Sequence, residues 1–322
     1  MDARVKALLT PADVALLAPR WGLAPDRLRF VGGFQNFVYE GELDGRPVIF
    51  RVSHQSHRTP ELIRSELDFV QYLALHGLPV ARPVAVPGSG ALAEAAGEFT
   101  AAVFEKAPGG PDTDDVPGLL RRLGRLMGRM HALSRQYRPG PGVVPRWAWH
   151  ENEYLNDLSR YVPTDQPLVH EAARRLVADL HGLPTPPEAY GLIHGDVVRG
   201  NIFFDQNDEI TLFDFDEAQQ GWYVNDVAIY LFYWIAFPKP GDEAFVAQFI
   251  DLFVGSYLEE CPLDGIWLQQ IPLFLKLRQL ILYTAIHRSR DLNQLHPWEQ
   301  SFLDFARPNL ERGEPVIPFP FR

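Results

Sequence analysis

The amino-acid sequence predicts an α+β chain in two lobes, a mixed or antiparallel sheet lobe followed by a mainly helical one. Before Glu105, apolar and polar residues alternate in several short stretches, the period of half-buried strands. Beyond a turn-rich stretch, KAPGGPDTDDVPG at 106–118, helical spacing takes over. The lobes therefore divide as residues 1–105 and 106–322. A chain of 322 residues with 46% hydrophobic and 12% aromatic content can fill cores of that size.

Each element has a local cause. Thr10-Pro11-Ala12-Asp13 reads as an N-cap with proline at the first helical position, opening a short helix that ends near Pro19. In LRFVGGFQNFVYEGELDGRPVIFRVS, strands start at Leu28 and Phe37, Gly32-Gly33 punctuates the first gap, and Asp44-Gly45 closes a hairpin before PVIFRV. TPELIRSELDFVQYLALHG places Leu62, Ile63, Leu67, Phe69, Val70 and Leu73 at helical spacing and stops at Gly77. VARPVAV and FTAAVFE are two further strands.

In the second lobe LLRRLGRLMGRMHALSRQY, NEYLNDLSRYV and HEAARRLVADLHGL all show helical spacing. NIFFD and EITLFDFD form a small strand pair that turns at Gln206-Asn207-Asp208. Helices then fill Asp226 to Phe237, Glu243 to Leu258, and Asp264 to Arg288 and beyond, and the tail PVIPFPFR runs along the surface. There is no internal repeat.

Charge and cysteine content exclude several classes. With 30 basic against 41 acidic residues the formal charge is -11, which argues against nucleic acid as a partner, since that affinity rests on a basic surface. A lone Cys261 permits neither an intramolecular disulfide nor a cysteine metal site, as suits a reducing cytosol. MDARVKALLTPADV lacks the apolar core of a signal peptide, and the longest apolar run, Val227 to Phe237, is too short to span a bilayer. The expectation is a cytoplasmic protein with no membrane partner; nothing in the sequence sets an oligomeric state.

The chemistry is concentrated in GLIHGDVVRGNIFFD, from Gly191 to Asp205. His194-Gly195-Asp196 enters a polar loop, Asn201 leaves it, and Asp214 and Asp216 follow at the end of EITLF. Phosphoryl transfer from a nucleotide needs a carboxylate on the acceptor hydroxyl and oxygen ligands for magnesium on the phosphates. Asp196 can serve as the first, and Asn201 with Asp214 as the second. Protein kinases place their catalytic Asp five residues before the metal-binding Asn and open D-F-G with a second metal ligand. Asp196 and Asn201 keep that spacing, with DFD in place of DFG. Singly, each piece has a plainer reading: an ordinary turn for His-Gly-Asp, a helix N-cap for Asp226, a solvated strand end for Asp216. Their joint spacing carries the argument.

LIHGDVVRGNIFFD together with ITLFDFDEAQQGWYVNDVAIYL resembles the aminoglycoside phosphotransferase and choline kinase-like family, which includes the type II homoserine kinases. The resemblance covers nearly the whole chain, and its specific residues fall between His194 and Asp226. It implies a two-lobed protein-kinase-like fold that binds ATP and Mg2+ in a cleft. Asp196 would be the catalytic base, Asn201 and Asp214 the magnesium ligands, Asp226 a buried carboxylate bracing the catalytic loop, and His194 a residue that shapes it. Arg199 would touch nucleotide or acceptor, or simply lie in solvent.

In the first lobe, FVGGFQNFVYEG would form a hairpin over the phosphates with Gly32 and Gly33 facing the anion, or a plain turn, since G-x-G-x-x-G is absent. Arg51 stands where the family usually has its phosphate-binding lysine, with Glu66 as ion-pair partner; a surface charge pair is the alternative. Arginine offers a planar fork in place of a point charge, so the exchange need not abolish phosphate binding, and it leaves nucleotide affinity and the preference between ATP and GTP open. VFEKAPGG fits a linker between lobes, with Phe104 beside the adenine and backbone groups of Glu105 to Ala107 bonding the base.

Only EAQQGWYVN separates Asp216 from Asp226, which leaves no room for an activation segment, and Val198 stands where many protein kinases carry lysine. Both favour a small hydroxylated acceptor. Residues 1–105 hold 10 basic and 12 acidic side chains, so the second lobe carries -9 of the -11; solvated helix surface is the plainer reading of that charge, and an amine-bearing acceptor such as an amino alcohol, homoserine or an aminoglycoside is the functional one. Acceptor contacts are expected among Asp216, Glu217, Trp222, Tyr223, Tyr283 and His287, although core packing accounts equally for the three aromatic residues. A protein serine/threonine kinase and a nucleotide-binding regulator without catalysis are the competing readings.

Overall fold

A computed structural model describes residues 7–33, 35–237, 239 and 241–321. Phe34, inside the glycine-rich turn, and the first six residues lie outside the described residues. The chain divides into two compact units, neither of them continuous. Residues 1–112, 137–146 and 201–216 make the first, and residues 113–136, 147–200 and 217–322 the second.

The first unit is built on a six-stranded sheet. Its strands are β1 (Arg29–Gly32), β2 (Phe37–Leu43), β3 (Arg46–His54), β4 (Pro83–Val84), β5 (Ala93–Ala96) and β6 (Phe99–Glu105), in the order β1-β2-β3-β6-β4 with β5 also paired to β6. Every pairing is antiparallel. Leu43 pairs with Arg46, so Asp44-Gly45 is a two-residue hairpin turn, with both residues at positive φ as that turn requires. VARPVAV forms only the two-residue β4, because Pro83 and Pro87 cannot donate to a ladder. β5, AEAA between turns, has no β-branched residue to announce it.

Strand pleating sorts the side chains. Val48, Phe50 and Val52 of β3 with Ala101 and Val103 of β6 face helix α1 (Pro11–Leu17) and Trp21. Ala102 and Phe104 lie on the opposite face with Ile63 and Leu67 of helix α2 (Pro60–Leu75). Arg51 lies between Phe50 and Val52 and so projects toward α2. α2 starts at a Thr59 cap with Pro60 in its first turn and ends before Gly77, an αL residue at φ 75. Strands β8 (Ile202–Phe204) and β9 (Ile210–Leu212), added elsewhere in this unit, form the antiparallel pair expected around Asp208.

The second unit is mostly helical. It contains α3 (Val116–Gln136), α4 (Glu153–Asn156), α5 (Leu158–Tyr161), α6 (Pro167–His181), α7 (Tyr223–Ile235), α8 (Asp242–Phe249), α9 (Gly255–Glu260), α10 (Gly265–Leu268), α11 (Ile271–Ser289) and α12 (Pro297–Arg312). NEYLNDLSRYV is thus two one-turn helices, since Asp157 leaves helical geometry at ψ 15. The helix expected over Glu243 to Leu258 is interrupted by a π-helical stretch, Ile250–Val254. β7 (Tyr190–Ile193), the apolar flank of GLIHGDVVRGNIFFD, pairs antiparallel with β10 (Gln219–Trp222), a strand unforeseen in the sequence, and the two frame the loop that begins at His194. Trp222, Tyr223, Tyr230, Phe232, Phe249, Phe253, Tyr257 and Tyr283 fill the core. The apolar run after Asp226 is α7, and among the described residues no helix is long and apolar enough to cross a membrane.

Candidate active site

In the first unit Arg51 makes a two-point ion pair with Glu66, Nη1 to Oε1 at 2.8 Å and Nη2 to Oε2 at 2.6 Å. Both side chains are buried, so the pair is internal and the surface-pair alternative does not apply. Burial works against the Arg51 charge, but Glu66 outweighs it and holds the guanidinium protonated. The Arg51 guanidinium also lies 4.9 Å from the Phe104 ring centroid and 3.6 Å from Asp214 Oδ1.

Asp214 has φ 64, a left-handed conformation that costs a non-glycine residue energy and sends successive side chains in different directions. Its carboxylate is 48% exposed, whereas Phe215 is buried against Phe69 with ring centroids 6.0 Å apart. Phe213 N–H donates to Asn201 O at 3.1 Å, which ties the end of the polar loop to the strand leading into Asp214. Asn201 and Asp214 thus offer hard oxygen donors from neighbouring stretches of backbone beside a fixed cation, a set that fits a divalent ion such as Mg2+ or Ca2+.

Asp216 is buried rather than solvated. His57 Nε2 meets its Oδ2 at 2.5 Å, Arg58 Nε lies 3.6 Å from Oδ1, and Arg58 and Arg146 both donate to its carbonyl. Burial alone would raise this carboxyl; the His57 and Arg58 charges reverse the effect and hold it well below the usual carboxylate range. Arg146 also donates to Leu62 O at 2.8 Å, so the cluster fastens the DFD turn to α2 and to the segment after β3.

At the glycine-rich turn Gly32 and Gly33 have φ 128 and 133, and a Cβ on Gly33 would fall 1.9 Å from Asn36 O. At the end of β6, Glu105 N–H bonds Arg82 O and Lys106 N–H bonds Pro47 O, while Ala107 is buried.

In the second unit the loop that begins at His194 is fixed by Asp226 at the start of α7. Its Oδ2 accepts the His194 N–H at 2.8 Å and its Oδ1 the Gly195 N–H at 2.9 Å. Burial would raise Asp226, and the hydrogen bond from His131 brings it below its ordinary value. His131 Nε2 lies 3.1 Å from Asp226 Oδ2 and Nδ1 2.8 Å from the Tyr257 hydroxyl, an arrangement for a neutral ring that donates to the carboxylate and accepts from the phenol. His194 is fully buried and its Nδ1 accepts the Asp196 N–H at 3.2 Å. Gly195 has φ 79, and a Cβ there would sit 2.2 Å from Glu217 O.

Asp196 is 28% exposed and its Oδ1 is ion-paired to Arg278 of α11. Arg278 in turn donates to the Tyr233 hydroxyl of α7 from Nε at 3.1 Å and Nη2 at 2.5 Å. Arg199 stacks on Trp234 at 5.2 Å.

Of the acceptor candidates, Trp222, Tyr223 and Tyr283 are core residues. Trp222 Nε1 bonds Pro184 O, Tyr223 stacks on His131 at 4.6 Å, and Tyr283 bonds Gln166, with burial pushing its phenol up to about 12. His287 Nδ1 donates to Tyr283 O, and Glu217 closes a 3-10 turn with its carbonyl against Gly195. Sequence reasoning missed Arg278, Tyr233, His131, His57 and Arg146. For Arg278 a signal existed: it is a lone cation at i+3 and i+4 from Leu275 and Phe274 on the buried stripe of α11.

A β3 arginine paired to a helix glutamate, and an Asp-x4-Asn loop followed by Asp-Phe-Asp, define a kinase-like phosphotransferase. The chain belongs to the phosphotransferase enzyme family, whose model matches residues 26–261. It is 36% identical to the amicoumacin kinase of Bacillus subtilis over 323 residues, covering 96% of this chain and 94% of that one. The solved amicoumacin kinase hAmiN, in complex with AMP-PNP, Ca2+ and Ami, superposes with a TM-score of 0.91 at 33% identity, over 100% of this chain and 99% of that one. A microcompartment-associated aminopropanol kinase shares the fold, with a TM-score of 0.72 at 22% identity over 94% and 96% of the two chains.

Proposed function

We propose that this phosphotransferase moves the γ-phosphoryl group of ATP to a hydroxyl of a small molecule, with amicoumacin as the leading acceptor and other amine-bearing alcohols behind it. Near full-length similarity to amicoumacin kinases, in sequence and in structure, carries this reading.

The residues take the following parts. Residues 1–105 serve as the nucleotide-binding lobe and 106–322 as the catalytic and acceptor-binding lobe. Arg51, held by Glu66, would bind phosphate oxygens; its two bonds to Glu66 fix the fork before any ligand arrives. Gly32 and Gly33 would let backbone amides approach the phosphates, and Phe104 with the backbone of Glu105 to Ala107 would border the base. Glu105 N–H is already bonded, which puts the donor role on Ala107. Asn201 and Asp214 would hold Mg2+, which supplies charge neutralisation on the phosphates. Asp196 would orient the acceptor hydroxyl and take its proton as the new O–P bond forms and the bond to ADP breaks. Asp226, with His131 behind it, and His194 would keep that loop in place.

The test is ADP release with amicoumacin, amino alcohols, homoserine and aminoglycosides, with Asp196→Asn as control. Acceptor-dependent ADP release that Asp196→Asn abolishes while still binding ATP is expected. Full transfer by Asp196→Asn would overturn the assignment of the base, and transfer to protein alone would overturn the acceptor class.

A further inference from the structure

We infer that Arg278 is the positioning residue for Asp196, and that Tyr233 completes the device and contacts the acceptor; this rests on Asp196 being the group that receives the acceptor hydroxyl. A free aspartate rotates about its Cα–Cβ and Cβ–Cγ bonds and presents either oxygen. Here Arg278 takes Oδ1, which removes that rotation and sets the plane of the carboxylate.

Arg278 can do this because it is itself immobilised. It is 9% exposed, it projects from the 19-residue helix α11, and its guanidinium lies 5.1 Å over the Tyr233 ring while donating twice to that hydroxyl. Three elements of one unit converge: the loop after β7, α7 and α11. A guanidinium suits the task where an ammonium would not, since one planar group must reach a carboxylate and a phenol together.

Tyr233 has a second part. Its oxygen accepts from Arg278, so its single O–H is left to donate; the residue is 36% exposed, while burial around the hydroxyl raises the phenol above its ordinary value. The wall next to Asp196 is therefore a polar, aromatic face with a hydroxyl donor. An acceptor suited to it carries, near the reacting hydroxyl, an oxygen or amide carbonyl that can accept that bond. Arg278 partly neutralises Asp196, so an ammonium beside the reacting hydroxyl gains little there. The class favoured is a hydroxylated molecule whose hydroxyl has a neighbouring hydrogen-bond acceptor.

The experiment uses the full chain with Arg278→Met, Arg278→Lys, Tyr233→Phe and the double variant Arg278→Met/Tyr233→Phe. Acceptor KM, kcat and ATP affinity are measured for each, along with melting temperature. Arg278→Met should lower kcat about 10- to 100-fold with ATP affinity within about twofold of the parent. Arg278→Lys should recover part of the loss, and Tyr233→Phe should raise acceptor KM by about threefold or more. The double variant should lose less than the product of the single effects, because the residues act as one unit. A kcat for Arg278→Met within about twofold of the parent, or ATP affinity falling in step with kcat, overturns the proposal. If Arg278→Met does not fold, Tyr233→Phe decides: an unchanged acceptor KM and kcat sinks the device. Full transfer by Asp196→Asn would show instead that the underlying reading of the base had failed.

Discussion

Arg51 and Glu66 meet through both guanidinium nitrogens and both carboxylate oxygens, at 2.8 and 2.6 Å, inside the first unit. A buried pair of this kind is worth little against an apolar replacement but leaves an uncompensated charge when one partner is removed. Glu66→Ala should therefore destabilise the protein by about 3–5 kcal/mol. It should also weaken ATP binding, since the fork is no longer pre-set. Chemical denaturation and ATP titration of the variant check both; an unchanged denaturation midpoint would mean that the pair is not structural.

The pair at the base of the catalytic loop has a pH signature. Burial lowers the His131 ring below its ordinary value of 6.5, so the unfolded chain binds a proton there that the folded chain refuses. Stability from this residue is complete above about pH 6.5 and declines as the pH falls from there toward the folded value. His287, also lowered by burial, adds to the same slope. Asp226 and Asp216 are lowered carboxyls, and their contributions go only at more acid pH, below the ordinary 3.8. Melting temperature should thus be flat from about pH 7 to about pH 9, above which the raised Cys261 thiol and buried tyrosines lower it, and should fall below about pH 7, with a shallower fall in His131→Gln. An identical slope in that variant would assign the effect elsewhere.

Asp216 occupies the position of the glycine in D-F-G, and its surroundings give the exchange a physical cause. His57 and Arg58 face its carboxylate, while Arg58 and Arg146 also hold its carbonyl, which no side-chain substitution removes. Asp216→Asn therefore loses only the charge-assisted part, about 1–3 kcal/mol. Metal-dependent ATP binding should weaken as well, because Asp214, two residues earlier, loses its anchored neighbour. The denaturation midpoint and ATP affinity measured across a magnesium series check this; affinity that is insensitive to the substitution would confine Asp216 to stability.

The loop proposed as catalytic stands out in the sequence because its pattern is local: Asp196, Asn201, Asp214 and Asp226 lie within 31 residues, and residue type with spacing carries the signal. Arg51 and Glu66 are found through the family resemblance, which implies a cation on this strand and its partner on the next helix; strand pleat and helix period are what bring the two to one face of the sheet. What the sequence hid was partnership at a distance. Arg278 reaches Asp196 across 82 positions and His131 reaches Asp226 across 95, and no propensity or motif encodes which distant helix supplies a partner. Trp222, Tyr223 and Tyr283 show the converse: an aromatic residue has the same composition signal whether it faces a ligand or a core, and burial decides for the core. β5 and β10 were missed because AEAA and QQGW lack strand-forming runs and are strands only through their neighbours.

Asn201 and Asp214 differ in what each would lose. Asp214 is the charged donor, half exposed and 3.6 Å from Arg51, so its neutralisation removes a formal charge from any cation site and leaves Arg51 facing an amide. Asn201 is neutral, and its backbone carbonyl already holds Phe213 N–H, a bond that survives side-chain truncation. Asp214→Asn should therefore cut transfer about 100-fold or more, whereas Asn201→Ala should be milder and partly recovered by excess magnesium. Chelation with EDTA should abolish transfer by the parent, and added Mg2+ should restore it. ADP release across a magnesium titration separates the two variants: a rightward shift in the metal requirement is expected for Asn201→Ala, and a lowered plateau for Asp214→Asn. Transfer that persists in EDTA would remove both residues from a metal-binding role.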